Sequence, residues 1–322
     1  MELKAEKFHG KLKKRPSDTD PTQSPRKLDP FMRALKAFHS AGTPESMDPE
    51  ALEKQRKNQE LLGHLVAPMT GLQWEPFCLD GMNAAWARLD RPQKRRHCIL
   101  YCHGGGYTSG NLGYSRVLAS KLASATGYEV LTFEYRLAPE HPYPAAIEDA
   151  LKAWDHLMLL GYGARDVVVA GDSAGGNLAM VLCHRLLAAG RLMPSALALF
   201  SPWTDMTMGG HSYDELAELD PMLTREYIQT VRQAYAPGAD YKDPDFSPFL
   251  GDLSDFPPTL LQVGTFEILL DDSRRLQEKL EAAHVPCRLE VYDDMWHVFQ
   301  MFPIRKAAQA IQSVAYFLLE LD

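Results

Sequence analysis

The chain has 322 residues, 45% apolar and 24% charged, with 34 basic against 42 acidic side chains and a formal net charge of −8. That balance belongs to a soluble globular protein with apolar side chains enough for one large domain or two small ones. A mildly acidic chain excludes a global attraction for nucleic acid or anionic membrane, and no apolar run approaches the length of a bilayer span.

Lys4, Lys7, Lys11, Lys13, Lys14 and Arg15 crowd the amino terminus, with Pro16, Pro21, Pro25 and Pro30 among the polar residues that follow. No apolar run of a signal peptide comes after these charges, so residues 1–30 are expected to form a solvated, flexible arm. Residues 31–38 and 48–66 read as helices, the second opened by Asp48 as N-cap and Pro49 at the first helical position.

From residue 72 short apolar runs alternate with helical segments. Strands are expected at 73–79, 83–89, 97–102, 129–134, 166–171, 196–201, 259–264 and 287–292, and helices at 114–126, 144–160, 174–189, 271–284 and 304–320. Val167, Val168, Val169 and Ala170 lack alternation, as does the run from Ala196 to Phe200. Strands of that kind are buried on both faces, which implies a parallel sheet covered by helices. The strand–helix repeat therefore predicts a doubly wound α/β domain. Its first two strands, joined by Asp80-Gly81, are expected as an antiparallel hairpin at one edge. Residues 203–258 break the repeat, with one helix at about 222–235; a stretch that long is usually functional, such as a lid. The last strand is expected at the free edge, where a second copy could pair to give a homodimer.

The five cysteines, Cys78, Cys98, Cys102, Cys183 and Cys287, are odd in number and irregular in spacing. They fit reduced thiols in a cytoplasmic protein. No Cys/His cluster has zinc-ligand spacing, and the chemistry read below calls for no metal or organic cofactor.

Three motifs carry chemistry. Gly171-Asp172-Ser173-Ala174-Gly175-Gly176 lies between a buried strand and a helix, the context of a nucleophile elbow. A serine in so sharp a turn needs small neighbours, supplied by Gly171, Ala174 and Gly175. Read without chemistry, Ser173 is an N-cap. His103-Gly104-Gly105-Gly106-Tyr107 directly follows the strand at 97–102; its glycines expose backbone N–H groups of the kind acyl transfer needs for an oxyanion. A phosphate-binding loop is the weaker reading, because no Lys-Ser/Thr follows. His103 itself is expected to brace the loop. His297, on the loop after the last strand, stands where the order Ser…acid…His puts the base. The acid is read from loop position as Glu267, first on the loop after 259–264; Asp271 and Asp272 at the next helix start, and Asp205, remain open.

Together these motifs resemble the hormone-sensitive-lipase-like esterases, the α/β-hydrolase fold-3 group. The resemblance covers most of 97–320 and includes Tyr135-Arg136-Leu137-Ala138-Pro139-Glu140, Ser201-Pro202-Trp203, Ser247-Pro248 and Pro257-Pro258. It implies an α/β-hydrolase fold with a mostly parallel eight-stranded sheet, helices on both faces and a helical cap. Residues 1–72 would supply the arm and cap helices, and 73–322 the catalytic domain with a cap insertion at about 206–240. It implies the triad Ser173, Glu267 and His297, oxyanion donors on Gly105, Gly106 and Ala174, and a small-molecule ester substrate with a short to medium acyl chain. Members of this group often carry Asp where this chain has Glu267. A lactone, amide or carbamate hydrolase on the same scaffold is the nearest alternative. A non-catalytic receptor is a more distant one, since receptors similar to this group lose the histidine that His297 retains.

Overall fold

In a computed structural model of the protein, residues 27–42, 47–64, 71–90 and 97–321 are described. The basic cluster from Lys4 to Arg15 and nearly all of the expected arm lie outside them, as do the last two positions of the helix expected at 48–66.

In chain order the elements are α1 (Pro30–Gly42), α2 (Pro49–His64), β1 (Leu72–Leu79), β2 (Met82–Leu89), β3 (Cys98–Cys102), α3 (Leu112–Thr126), β4 (Glu129–Phe133), α4 (Ala145–Leu159), β5 (Val167–Asp172), α5 (Ala174–Ala188), β6 (Ala196–Phe200), α6 (Ser212–Glu215), α7 (Arg225–Tyr235), β7 (Thr259–Gly264), α8 (Leu270–Ala282), β8 (Cys287–Tyr292) and α9 (Arg305–Leu321). The eight strands form one sheet in the order β1-β2-β4-β3-β5-β6-β7-β8. All pairs from β4 to β8 are parallel, while β1–β2 and β2–β4 are antiparallel. The hairpin turn has φ 47° at Asp80 and 84° at Gly81, the left-handed pair that suits the twist of two strands. The expected doubly wound sheet with an edge hairpin is thus the observed one, and β8 is the outer strand on the far side.

Side-chain alternation divides the core. Cys98, Leu100 and Cys102 of β3 join Leu178 and Leu182 of α5 and Leu276 of α8 on one face. Ile99 and Tyr101 join Leu118 and Leu122 of α3 and Ile311 and Val314 of α9 on the other. Each fully buried Leu, Ile or Val contributes about 1.5–3 kcal/mol over leaving it in water, so both layers of helix are held by burial of their inner stripes.

Several helix ends shift by a few residues from the sequence reading, those of α1 and α7 among them. α1 begins one residue earlier, at Pro30, because Asp29 caps it through Met32 N (2.8 Å), and it runs on to Gly42. The helix expected at about 222–235 begins only at Arg225. Asp220 Oδ1 accepts from the amides of Met222 (2.7 Å) and Leu223 (2.9 Å), and Thr224 Oγ1 caps Tyr227 N (3.1 Å), so the chain enters the helix after residue 224. A second, short helix in this stretch, α6, was not anticipated.

α1 and α2 lie against the loops at the carboxyl ends of the strands. Met32 packs with Phe266, Met295, Trp296 and Phe299, and the ring of Phe31 stands 5.4 Å from that of Trp296. Lys36 Nζ donates to Glu218 O (2.9 Å). On α2, Arg56 donates to Thr108 O (2.9 Å) and holds Glu140 through two bonds of 2.8 Å, drawing that carboxyl down to about 2. Gln55 Nε2 donates to Tyr227 Oη of α7 (3.0 Å).

Candidate active site

The chain leaves β3 for β4 on one side and returns to β5 on the other, so the sheet reverses its order beside β3. Loops at such a switch point diverge above the strand ends and open a crevice. The loop 103–110 and the turn at Ser173 leave these two neighbouring strands, whose last partners are Cys102 and Gly171.

Ser173 has φ 54° and ψ −122°, left-handed backbone that a non-glycine residue holds at a cost of about 1–3 kcal/mol. The turn is fixed from outside: Ser173 N donates to Phe200 O (2.9 Å), and Ser173 O accepts from Trp203 N (3.0 Å) and Gly176 N (3.0 Å). The side chain makes no capping bond to α5. From 167 to 183 every residue is buried except Ser173. A Cβ on Gly175 would stand 2.1 Å from Cys102 O, so glycine lets the start of α5 press against the end of β3. Ala174 is the first residue of α5, where the N–H has no intrahelical acceptor and the helix dipole favours negative charge.

Gly105 has φ 115°, and a Cβ there would meet Ser109 O at 2.3 Å. Gly105 O accepts from Thr108 N (3.1 Å) and Ser109 N (3.0 Å), which curls the loop and uses that carbonyl internally. Gly106 follows with φ 63° and backs onto Val231 of α7. The loop is tied to the elbow by Asp172. Its Oδ1 accepts from Gly104 N (2.9 Å) and Tyr101 Oη (2.5 Å), and its Oδ2 accepts from Tyr114 Oη (2.6 Å). Burial raises the pKa of Asp172; the two tyrosines, the nearby His297 and Gly104 N pull against that.

His103 is packed and hydrogen-bonded within this loop. Its ring stacks on Tyr135 at 4.1 Å, its Nδ1 lies 2.8 Å from Gly104 O, and its own carbonyl accepts from Tyr135 Oη (2.8 Å). Burial pushes the imidazole from its ordinary value of 6.5 down to about 4. A histidine kept neutral in the fold but free to charge when unfolded gives full stability above about pH 6.5, lost as pH falls toward 4. The swing is on the order of 3 kcal/mol. In His103→Gln, the decline of Tm between those pH values should be shallower than in the parent, as measured by calorimetry; parallel curves would refute this.

Glu267 and His297 meet: Nδ1 of His297 is 3.2 Å from Oε2 of Glu267, and both side chains are buried. The other oxygen, Oε1, accepts from Gly264 N (2.5 Å) and Ser201 Oγ (2.9 Å). A carboxylate only accepts, so Nδ1 carries the proton and Nε2 of the neutral ring is the free acceptor. Val298, next in the chain, sits at φ 50°, ψ 41°, and its N–H donates to the same Ser201 Oγ (3.0 Å). Phe200 and Ser201 at the end of β6 therefore receive the serine turn, the carboxylate and the histidine loop at one place.

The other acids read as alternatives are engaged elsewhere. Asp205 pairs with Arg275. Asp272 Oδ2 accepts from Thr204 N (2.9 Å) and Asp205 N (3.0 Å), and Asp271 Oδ2 from Ser212 N (3.0 Å). The sequence reading gave no role to Tyr101 and Tyr114, and it cited Ser201 only within a motif. It also missed half-buried His39 and buried Asp220 beside the site. Burial and then the neighbouring His297 hold His39 at about 4, and burial raises Asp220 to about 6 against His297 and three amides. For Asp220 a local signal existed, the aspartate just before a proline and two amides that need capping; for the tyrosines none did. Among the described residues no group of three or more His, Cys, Asp or Glu could hold a metal ion, and no helix is long and apolar enough to cross a membrane. Cys78, Cys102, Cys183 and Cys287 are free thiols.

Residues 99–301 match the alpha/beta hydrolase fold family. The chain is 40% identical over 227 residues to an esterase of Acinetobacter venetianus, covering 70% of this chain and 75% of that protein. It is 35% identical over 262 residues to an acetyl-hydrolase of Streptomyces hygroscopicus, covering 81% and 86%. The crystal structure of an esterase from the bacterial hormone-sensitive lipase family superposes with a TM-score of 0.84 at 34% identity, over 92% of this chain and 99% of that one. The chain belongs to the α/β-hydrolase family, in its hormone-sensitive-lipase-like group of esterases.

Proposed function

We propose that this protein is a serine carboxylesterase that acts on short- to medium-chain acyl esters through an acyl-enzyme on Ser173. The observation that carries the reading is the seat of Ser173: a strained, only half-buried serine at a helix N-terminus, joined through the end of β6 to the loop of a carboxylate-backed imidazole. In this reading His297 takes the serine proton on Nε2 while Ser173 Oγ attacks the ester carbonyl. Glu267 holds the Nδ1–H tautomer and offsets the charge of the imidazolium. The oxyanion is received by the amides of Gly105, Gly106 and Ala174, each worth about 100- to 1000-fold in rate. His297 returns its proton to the leaving alcohol, and water then releases the acid by the same route. α1, α2 and residues of about 206–240 form the cap in this proposal, and the acetyl-hydrolase relative supports a small acyl group.

The test is an acyl series of p-nitrophenyl esters from acetate to laurate, with fluorophosphonate labelling beside it. Label on Ser173 is expected, with kcat/KM highest between acetate and hexanoate. Absence of label would end the covalent reading, and a maximum at laurate would end the short-chain one. A lactone and an anilide run in parallel would expose a different acyl substrate by a higher kcat/KM.

A further inference from the structure

The turn that carries His297 is short and strained. Residues Phe299–Met301 form a single 3-10 turn whose bonds are Phe299 N to Trp296 O (3.2 Å), Met301 N to Val298 O (3.1 Å) and Phe302 N to Phe299 O (3.0 Å). Beyond it Phe302 turns extended, and Pro303 brings no N–H, so the helical ladder stops there. The carbonyls at the end of such a turn are left without helical donors and carry the negative end of its dipole. The φ of 50° at Val298 adds strain, because a β-branched residue is a true outlier in that region. A conformation of this kind persists only where its surroundings over-determine it.

Ser201 fixes one side of the turn. On the other side stands Lys121 of α3. Its Nζ donates to Gln300 O (2.6 Å), Met301 O (3.0 Å) and Phe302 O (3.1 Å). An ammonium has three donors, and here all three are spent on three consecutive carbonyls. α3 is itself anchored: Asn111 caps its start through Tyr114 N (2.9 Å), and its inner residues Leu118 and Leu122 are fully buried. We infer that Lys121 is a positioning residue for the esterase reaction, gripping the end of the turn after His297 so that the imidazole keeps its angle toward Ser173. The inference rests on the reading of His297 as the base. Lys121 touches no reacting atom, and its effect passes through residues 298–302.

The experiment compares Lys121→Met, Lys121→Gln and Lys121→Arg with the parent on p-nitrophenyl butyrate, with His297→Ala as reference. A misplacement of about 1 Å in a catalytic group costs on the order of 100-fold in rate. Lys121→Met is accordingly expected to lower kcat by about 10- to 100-fold while KM stays within about twofold. Lys121→Arg, which keeps charge and donors, should recover most of it. Equal kcat in the Met variant and the parent overturns the inference. A loss that Arg does not restore also overturns it, since packing and not the ammonium would then be at work. Should Lys121→Met fail to fold, Lys121→Gln decides by the same split between kcat and KM. If His297→Ala retains activity, the base assignment itself has failed; if only the Lys121 variants behave like the parent, that assignment stands and this one falls.

Discussion

Replacement of Ser173 or of His297 by alanine should each lower kcat for p-nitrophenyl butyrate by about a millionfold, and the double replacement should cost no more than either alone. The non-additivity is the informative part. A hydroxyl without its base and a base without its hydroxyl are equally idle, so removing the second member takes away nothing that still functions. Residual hydrolysis about 1000-fold above water would persist in both variants if, as proposed, the amides of Gly105, Gly106 and Ala174 receive the oxyanion. Additive losses would mean that the two side chains act in separate steps. Single-turnover kinetics on the purified variants gives the numbers, and unchanged near-ultraviolet circular dichroism shows that the fold survives.

Glu267→Gln is expected to lower kcat by about ten-thousandfold with little change in KM. The argument follows from the donors around the carboxylate. Gly264 N and Ser201 Oγ both point at Oε1, so the carbonyl oxygen of a glutamine would turn toward them. Its NH2 would then face His297 Nδ1, in the place of Oε2. That forces Nδ1 to accept, moves the proton to Nε2 and removes the acceptor Ser173 needs. Asp271→Asn, on a carboxylate bonded to Ser212 N, should leave kcat within a few-fold of the parent. A loss under tenfold in Glu267→Gln, or a large one in Asp271→Asn, would reassign the acid.

What the sequence could and could not disclose follows the range of the interactions. β5, α5 and the turn between them were legible because unbroken apolar runs and glycines are local signals. The hairpin was legible from Asp80-Gly81, and α2 from Asp48-Pro49. The same Asp-Pro signal at Asp29-Pro30 marks the start of α1 and was passed over, because a proline-rich stretch reads as irregular. Loop order put Glu267 and His297 forward; the 3.2 Å between them belongs to the parallel register of β7 and β8. The cradle of Asp172 was beyond reach. Its partners Tyr101 and Tyr114 lie 71 and 58 positions away, and a tyrosine in an apolar run, as Tyr101 is, reads as core. Ser201 was hidden for a related reason, since its two bonds span 66 and 97 positions. Lys121, on a helix whose other charged residue is Arg116, gave no hint of carbonyls 179–181 residues downstream.

The contact of Gly175 with the carbonyl of Cys102 has a consequence for how such an enzyme can change its diet. In the proposed mechanism the neighbouring strands β3 and β5 would set much of the spacing between Ser173 and the amides offered to the carbonyl. On that reading substitutions along α1 can reshape the room offered to an acyl or alcohol group without disturbing the distance on which bond-making depends, whereas Val231 of α7 lies against Gly106 and would carry a change to one of those amides. Variation in preference and constancy in chemistry are carried by different parts of the chain.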